Sequence, residues 1–422
     1  MKLNTIYQGD WIEVMREWPD DFIQCCITSP PYYGLRDYGV EGQLGLEKTP
    51  EEFIEKMVAG FREVRRVLRP DGTLWLNMGD SYVHSIPGGG SVFDNGRNDG
   101  RKSYDKDKAR GREKRAIKYP GLKPKDLCLM PARVALALQA DGAVDMKAVN
   151  QIERIRSELI HEYQDPYTKI PNRVLKVLDR LQKEYEEAKG DSWYLRMDNI
   201  WHKPNPMPES CTDRPTKSHE YVFLLTKSAK YFYDQEAVRE GYSENKPWGK
   251  IGSVEKEYHG GLLNKSFDYS ASGRNLRSVW TIPTQSCKFA HFATFPEKLV
   301  NRCILAGTAE TACGVCGKPF KRDTSIEYIR HRKAINRTKP RKNSSYIANR
   351  GEVLNKNVKT LGFFPACEHN DNTGKCIVLD PFSGTNTVGY RAQEMGRDWL
   401  GIELKKEYKD YGDNRVNQLV AV

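Results

Sequence analysis

Residues 376–403 limit the fold more than any other stretch of the chain. An apolar run, Cys376-Ile377-Val378-Leu379-Asp380, enters a turn of small residues, Pro381-Phe382-Ser383-Gly384-Thr385-Asn386. A helix is expected next over Thr387–Met395, with Gly396 able to end it. Trp399-Leu400-Gly401-Ile402-Glu403 then reads as a second strand closing on an acid. A strand, a crossover helix and a strand of these lengths make a parallel βαβ unit. In such sheets ligands sit at the carboxyl ends of the strands, where small residues admit the backbone and an acid can accept from ribose hydroxyls. A purely structural βαβ unit would satisfy the same pattern.

A second apolar run, Phe22 to Ile27, ends in Thr28-Ser29-Pro30-Pro31-Tyr32. The two prolines lock φ and lack N–H donors, so the chain can continue neither as strand nor as helix. Their carbonyls stay free to accept hydrogen bonds beside the Ser29 hydroxyl and the Tyr32 ring. A stiff acceptor pair next to an aromatic face suits a planar base bearing an exocyclic amine; an ordinary Pro-rich turn is the plainer alternative.

The remaining chain reads as α/β. Asn4–Asp10 is a short strand ending in an acidic turn. Thr49 caps and Pro50 opens a helix whose apolar face is Phe53, Met57, Phe61, Val64 and Leu68. Pro70-Asp71-Gly72 is expected to stop it before a strand over Thr73–Met78. Met130–Gln139 is helical, and 3–4 stripes on either side of Pro166 and Pro171 predict a helical hairpin over 144–189, an insertion. Strands follow near Tyr194–Trp201 and Tyr221–Thr226, and Phe295-Pro296-Glu297 begins another helix.

With 422 residues and 38% hydrophobic content, the chain has material for one large domain with insertions or for two domains. No apolar run nears the ~20 residues of a membrane span, and the N-terminus has no signal-peptide pattern, so a soluble, cytoplasmic protein is expected. The net charge of +11 is concentrated. Arg97–Lys125 holds twelve Lys/Arg against four Asp/Glu, and Lys318–Arg350 eleven against two, leaving a mildly acidic body. Two basic segments on such a body suit polyanion binding, although solvated loops carry charge in the same way.

Ten cysteines without a secretory signal argue against a disulfide framework. Cys313-Gly314-Val315-Cys316-Gly317 has the form of a zinc knuckle, and Cys367-Glu368-His369 offers a second ligand pair after the basic excursion. Cys376 is an alternative to His369 as fourth ligand, and redox use of Cys313 and Cys316 is an alternative to the metal.

Asp380-Pro381-Phe382-Ser383-Gly384 together with Thr28-Ser29-Pro30-Pro31-Tyr32 resembles the amino-group DNA methyltransferases that use S-adenosylmethionine. The order of the motifs, catalytic first and cofactor late, resembles their circularly permuted β group. His291–Pro296, Asp198–Pro206 and Gly9-Asp10 are similar to further segments of that family. One departure is Asn386, which stands where the family has the second glycine of Phe-x-Gly-x-Gly; either the loop approaches methionine less closely, or Asn386 takes the left-handed conformation in glycine's place.

The resemblance implies a Rossmann-like, mostly parallel sheet with one antiparallel strand. It also implies an inserted target-recognition region, a helical hairpin and a small zinc-ribbon-like insertion. The expected organisation is a catalytic half over 1–86, a variable basic loop and hairpin over 87–197, and a return to the sheet over 198–234. A variable segment (235–277), the cofactor-side helix (278–312), the zinc-ribbon-like insertion (313–370) and the S-adenosylmethionine half (371–422) complete it. Ser29, Pro30, Pro31 and Tyr32 are the implied catalytic residues. Asp10, Thr28, Phe295, Asp380, Pro381, Phe382, Ser383, Gly384, Thr385, Asn386 and Glu403 are the implied cofactor residues, with a structural zinc on Cys313, Cys316, Cys367 and His369. Double-stranded DNA is the implied partner, and the family admits a homodimer and a partner restriction nuclease, in a bacterial cell or a phage-infected host. Ser in the first motif position goes more with cytosine-N4 than with adenine-N6 enzymes, and both bases stay open.

Overall fold

The computed structural model describes residues 1–35, 37, 39–83, 121–142, 154–155, 174–181, 192–240, 274–285, 295–331 and 353–420. Two units emerge: residues 1–232, 278–307 and 377–422 form the first, and residues 233–277 and 308–376 the second.

The first unit is built on an eight-stranded sheet. In chain order its strands are Thr5–Gln8 (β1), Ile23–Thr28 (β2), Leu68–Met78 (β3), Tyr194–His202 (β4), His219–Thr226 (β5), Val279–Thr281 (β6), and then Ile377–Asp380 and Asp398–Glu403 near the C-terminus. Two strands of the second unit, Lys321–His331 (β7) and Val353–Phe364 (β8), precede that last pair, which are therefore β9 and β10. The sheet order is β1-β10-β9-β2-β3-β5-β4-β6. All neighbours are parallel except β5, which runs antiparallel to both β3 and β4. This is the Rossmann-like sheet with one reversed strand that the sequence resemblance implies.

Helices Trp11–Arg16 (α1), Pro50–Val67 (α2) and Met130–Ala140 (α3) cover one face of the sheet, packing on Leu74, Leu76 and Met78. Glu297–Gly307 (α4), Thr387–Glu394 (α5) and Lys406–Val420 (α6) follow. Gly307 of α4 meets the opposite face, where an added Cβ would lie 2.7 Å from Thr73 Oγ1 and 2.8 Å from Cys25 Sγ. Covered on both sides, β2 is buried at all six positions, which is why its sequence is a continuous apolar run rather than an alternation. Helix α2 begins as its sequence dictates, with the Thr49 hydroxyl accepting from Glu52 N and Pro50 in the first turn. Strand pairing resumes sooner than expected, at Leu68. Pro70-Asp71-Gly72 forms an excursion inside β3, between the pairs Ile23↔Leu68 and Cys25↔Thr73.

Strand β9 leads through α5 to β10 on one side, and β2 leads through α2 to β3 on the other. The order therefore reverses between β9 and β2, and the crevice at their carboxyl ends is the topological switch point.

In the second unit β7 and β8 pair as an antiparallel ribbon, so part of the basic insertion is regular structure rather than loop. Residues 174–181 are helical with Val174 and Leu181 buried, in line with the expected stripe. The rest of the 144–189 hairpin (apart from helical 154–155), residues 97–120 of the first basic segment, 332–350 of the second, and 291–294 lie outside the described residues.

Candidate active site

The carboxyl ends of β1, β2, β9 and β10 open onto a cavity of about 500 Å³. Its wall includes Ser29 and Pro31 from the first motif and Asp380, Pro381, Phe382, Ser383, Gly384 and Thr385 from the second. Asp10, Phe295 and Glu403 also line it. Of the expected site residues, Thr28, Pro30, Tyr32 and Asn386 are not on this wall.

Each of three acids is held by backbone or hydroxyl donors. Asp10 caps α1, its Oδ1 accepting from Ile12 N at 2.9 Å and Glu13 N at 3.1 Å. Asp380 accepts from the Thr28 hydroxyl at 2.8 Å and from Phe382 N at 3.1 Å. Glu403 accepts from Gly384 N and from Lys405 N, both at 2.9 Å. Burial outweighs these bonds for Asp380 and pushes its carboxyl up to about 7, and burial raises Glu403 as well. A cavity bearing Asp10, Asp380 and Glu403 beside aromatic surface favours a cationic ligand with a flat ring.

That aromatic surface is Phe382 on Trp11, with ring centroids 4.6 Å apart. Trp11 lines the cavity too, and its ring lies so close to α2 that a Cβ on Gly60 would fall 1.9 Å from it. Sequence reasoning passed over Trp11; its position directly after Asp10 was the available signal.

The turn from β9 to α5 leans on β10. Ser383 donates from both its N–H and its hydroxyl to the Ile402 carbonyl, at 2.9 and 3.1 Å. Gly384 has φ +50°, and a Cβ on Gly401 would lie 3.1 Å from Ser383, so the small residues are needed where the turn crosses the strand. Asn386 adopts φ 56°, ψ 49°, the left-handed conformation proposed for it in glycine's stead. Fully buried, its side chain caps α5 by accepting from Gly389 N at 3.0 Å.

Beside Ser29 lies a polar cluster that the motif alone did not reveal. The Tyr32 hydroxyl donates to Glu220 Oε2 at 2.8 Å and sits 3.3 Å from Ser29 Oγ. Asn77 Nδ2 reaches Ser29 Oγ (3.2 Å), Tyr32 Oη (2.9 Å) and Glu220 Oε2 (3.0 Å). Lys203 forms an ion pair with the other Glu220 oxygen. Burial first, and then the Glu220 charge, hold the Tyr32 phenol well above its ordinary range, so it stays a neutral donor. With the Tyr32 hydrogen spent on Glu220, the Ser29 hydrogen points to Tyr32, leaving a Ser29 lone pair as acceptor. One side of the Tyr32 ring is closed by Gly79, where a Cβ would come within 2.6 Å. Asn77 and Glu220, at the ends of β3 and β5, carry no local motif; only the sheet brings them to Ser29.

A family model described as a DNA methylase of the N6/N4 type matches residues 23–313 and 370–414, skipping most of the β7–β8 insertion. The Type II methyltransferase M.Cfr9I of Citrobacter freundii is 34% identical over 413 residues, covering 98% of this chain and 87% of that protein. The Type II methyltransferase M.SmaI of Serratia marcescens is 32% identical over 411 residues, covering 97% and 90%. Among solved structures, the PvuII DNA methyltransferase (cytosine-N4-specific) aligns over 98% of this chain and 88% of that one, at 14% identity and a TM-score of 0.44.

Proposed function

The chain belongs to the N6/N4 family of DNA methylases, and from that membership we propose that it methylates the N4 amine of a cytosine turned out of duplex DNA. It is a DNA methyltransferase of the amino type, with S-adenosylmethionine as cofactor. The observation that carries the reading is the single cavity lined by Ser29 and Pro31 on one side and Asp380–Thr385 on the other. An amine held at the first motif then faces a ligand held at the second.

The residues present suit the cofactor. Asp10, Asp380 and Glu403 match its positive charge and its ribose and adenine donors, while Phe382 on Trp11, with Phe295, offers ring surface. When bound, S-adenosylmethionine supplies an electrophilic methyl group on a sulfonium. Glu403 would accept from ribose hydroxyls, Asp10 would lie toward the adenine amine, and Asp380 would balance the cationic end. Thr28 and Asn386 act from behind the wall, Thr28 by bonding Asp380 and Asn386 by fixing the turn.

The amine is a poor nucleophile because its lone pair is shared with the ring. Ser29 Oγ and the Pro30 carbonyl accept its hydrogens, favouring sp³ character, and Pro31 stiffens the wall. Much of the catalysis is orientation. The Tyr32 ring face away from Gly79 stacks on the base, and Asn77 and Glu220 keep Tyr32 and Ser29 in register. Cytosine is favoured because Ser29 stands in the first motif position, where serine goes more with cytosine-N4 than with adenine-N6 enzymes of the family.

Duplex DNA is held electrostatically through the two basic segments, and residues 87–197 and 235–277 read the target sequence. A homodimer and a partner restriction nuclease are the assemblies the family admits, and a bacterial or phage-infected cytoplasm is the proposed setting. No helix among the described residues is long and apolar enough to cross a membrane. Transfer of labelled methyl to duplex DNA, with RNA and protein run in parallel, tests the substrate class. Incorporation into RNA or protein alone would refute it.

A further inference from the structure

Four metal-ligating side chains converge in the second unit, and none of them lines the methyl-transfer cavity. We propose that Cys313, Cys316, Cys367 and His369 hold a structural zinc ion that staples the base of the β7–β8 ribbon. Their ligand atoms all lie within 4.8 Å of one another, and Cys313 Sγ is 3.7 Å from His369 Nδ1. Zinc bound tetrahedrally at about 2.3 Å from sulfur and about 2.0 Å from nitrogen sets neighbouring ligand atoms roughly 3.5–3.8 Å apart. The Cys313–His369 edge already has that length, and the longest edge needs to close by about 1 Å at most.

The backbone is shaped to deliver these ligands. Gly317 turns the knuckle at φ +67°, its N–H donating to the Cys313 carbonyl at 2.7 Å, while Cys316 N–H points to Cys313 Sγ at 3.5 Å. Ala312 and Gly374 exchange two backbone hydrogen bonds, at 2.9 and 3.1 Å, locking the segment after His369 onto the knuckle. Side chains are excluded from that join. A Cβ on Gly374 would lie 2.9 Å from the Cys313 carbonyl, and one on Gly314 2.3 Å from Thr373 Oγ1. Cys376, the alternative fourth ligand, is fully buried and is not part of the cluster.

The ligand pairs flank the ribbon: Cys316 precedes β7 at Lys321, and Cys367 follows β8 at Phe364. Ribbon side chains Ile326, Leu361, Phe363 and Phe364 are exposed, while among the described residues the buried apolar ones near its base are few and mostly small, Ala309, Ala312, Cys313 and Phe320 among them. A subdomain with so little apolar core among its described residues is the kind that a metal stabilises. A redox dithiol would use Cys313 and Cys316 but gives no reason for Cys367 and His369 to stand at metal-edge spacing.

The full-length protein, purified without chelator, should carry about one equivalent of zinc per chain. Exchange with cobalt should give the intense visible absorption of tetrahedral cobalt, with thiolate-to-metal charge transfer in the near ultraviolet. His369→Cys and Cys376→Ser should keep the metal, whereas Cys313→Ser should lose it. Zinc below about a tenth of an equivalent together with no tetrahedral cobalt spectrum in the wild-type chain would overturn the site. So would metal that survives His369→Ala and disappears with Cys376→Ser. The wild-type spectrum and the His369→Cys variant keep the test decisive even if Cys313→Ser fails to fold.

Discussion

The Thr28 hydroxyl donates to the Asp380 carboxylate at 2.8 Å, joining residues 352 positions apart in the sequence. Thr28 ends β2 and Asp380 ends β9, the two strands between which the sheet order reverses. The bond thus ties the start of the Thr28–Tyr32 motif to the start of the Asp380–Gly384 motif at the switch point of the sheet.

Thr28→Val keeps the volume but leaves a fully buried carboxyl with one donor fewer. Stability should fall by roughly 1–3 kcal/mol. The loss should be larger above pH 7, where Asp380 is ionised and most in need of donors. Urea unfolding of both proteins at two pH values measures it, and equal stability at both would contradict the role given to the bond.

Asp380 also sets a pH dependence. Its carboxyl, held up to about 7 by burial, keeps its proton where the unfolded chain, with a pKa of about 4, has lost it. Unfolding then releases a proton, so this group's contribution to stability falls as pH rises from about 4 to about 7. A cationic cofactor favours the ionised form. Cofactor affinity should therefore climb with pH and level off above about 7, and Asp380→Asn should flatten the part of the climb due to this residue. Calorimetry across that range gives the answer; a flat wild-type profile would contradict it.

Glu403→Ala should weaken S-adenosylmethionine binding by roughly 1–3 kcal/mol. It removes the proposed ribose acceptor and also the acceptor that holds Gly384 N in the turn. Unchanged affinity would remove Glu403 from the site.

Ser29→Ala and Glu220→Gln should depress turnover by at least tenfold, about 1.4 kcal/mol in barrier, with cofactor affinity nearly unchanged. The prediction follows from the proposed assignment of the Ser29–Tyr32–Asn77–Glu220 cluster to the base. Loss of cofactor binding with turnover retained would reverse that division.

Neutralising Arg110, Arg112, Lys114 and Arg115 together should shallow the salt dependence of DNA affinity, by about 0.9 in log–log slope for each phosphate contact removed. An unchanged slope would return residues 97–125 to the status of a solvated loop.

Most of the sheet and both motif turns were legible in the sequence because each has a local cause. Continuous apolar runs marked the buried strands, Thr49-Pro50 marked a helix start, and Pro30-Pro31 and Ser383-Gly384 marked turns. Asn386 was legible even as a departure, since asparagine is the residue that best replaces glycine in the left-handed region. Asn77 and Glu220 were not legible. Their meeting with Tyr32 depends on β3 and β5 pairing antiparallel, a long-range fact with no local signature. The β7–β8 ribbon was missed because polar and charged residues, Lys321-Arg322-Asp323 in β7 and Asn355-Lys356-Asn357 in β8, interrupt the apolar alternation that announces a sheet.

The most direct measurement is the identity of the modified base. DNA methylated by the enzyme, digested to nucleosides and weighed, should yield N4-methyldeoxycytidine, with the label of the S-adenosylmethionine methyl retained on it. N6-methyldeoxyadenosine as the product would contradict the reading of Ser29, and 5-methyldeoxycytidine or no modified nucleoside would contradict the account of the site as a whole.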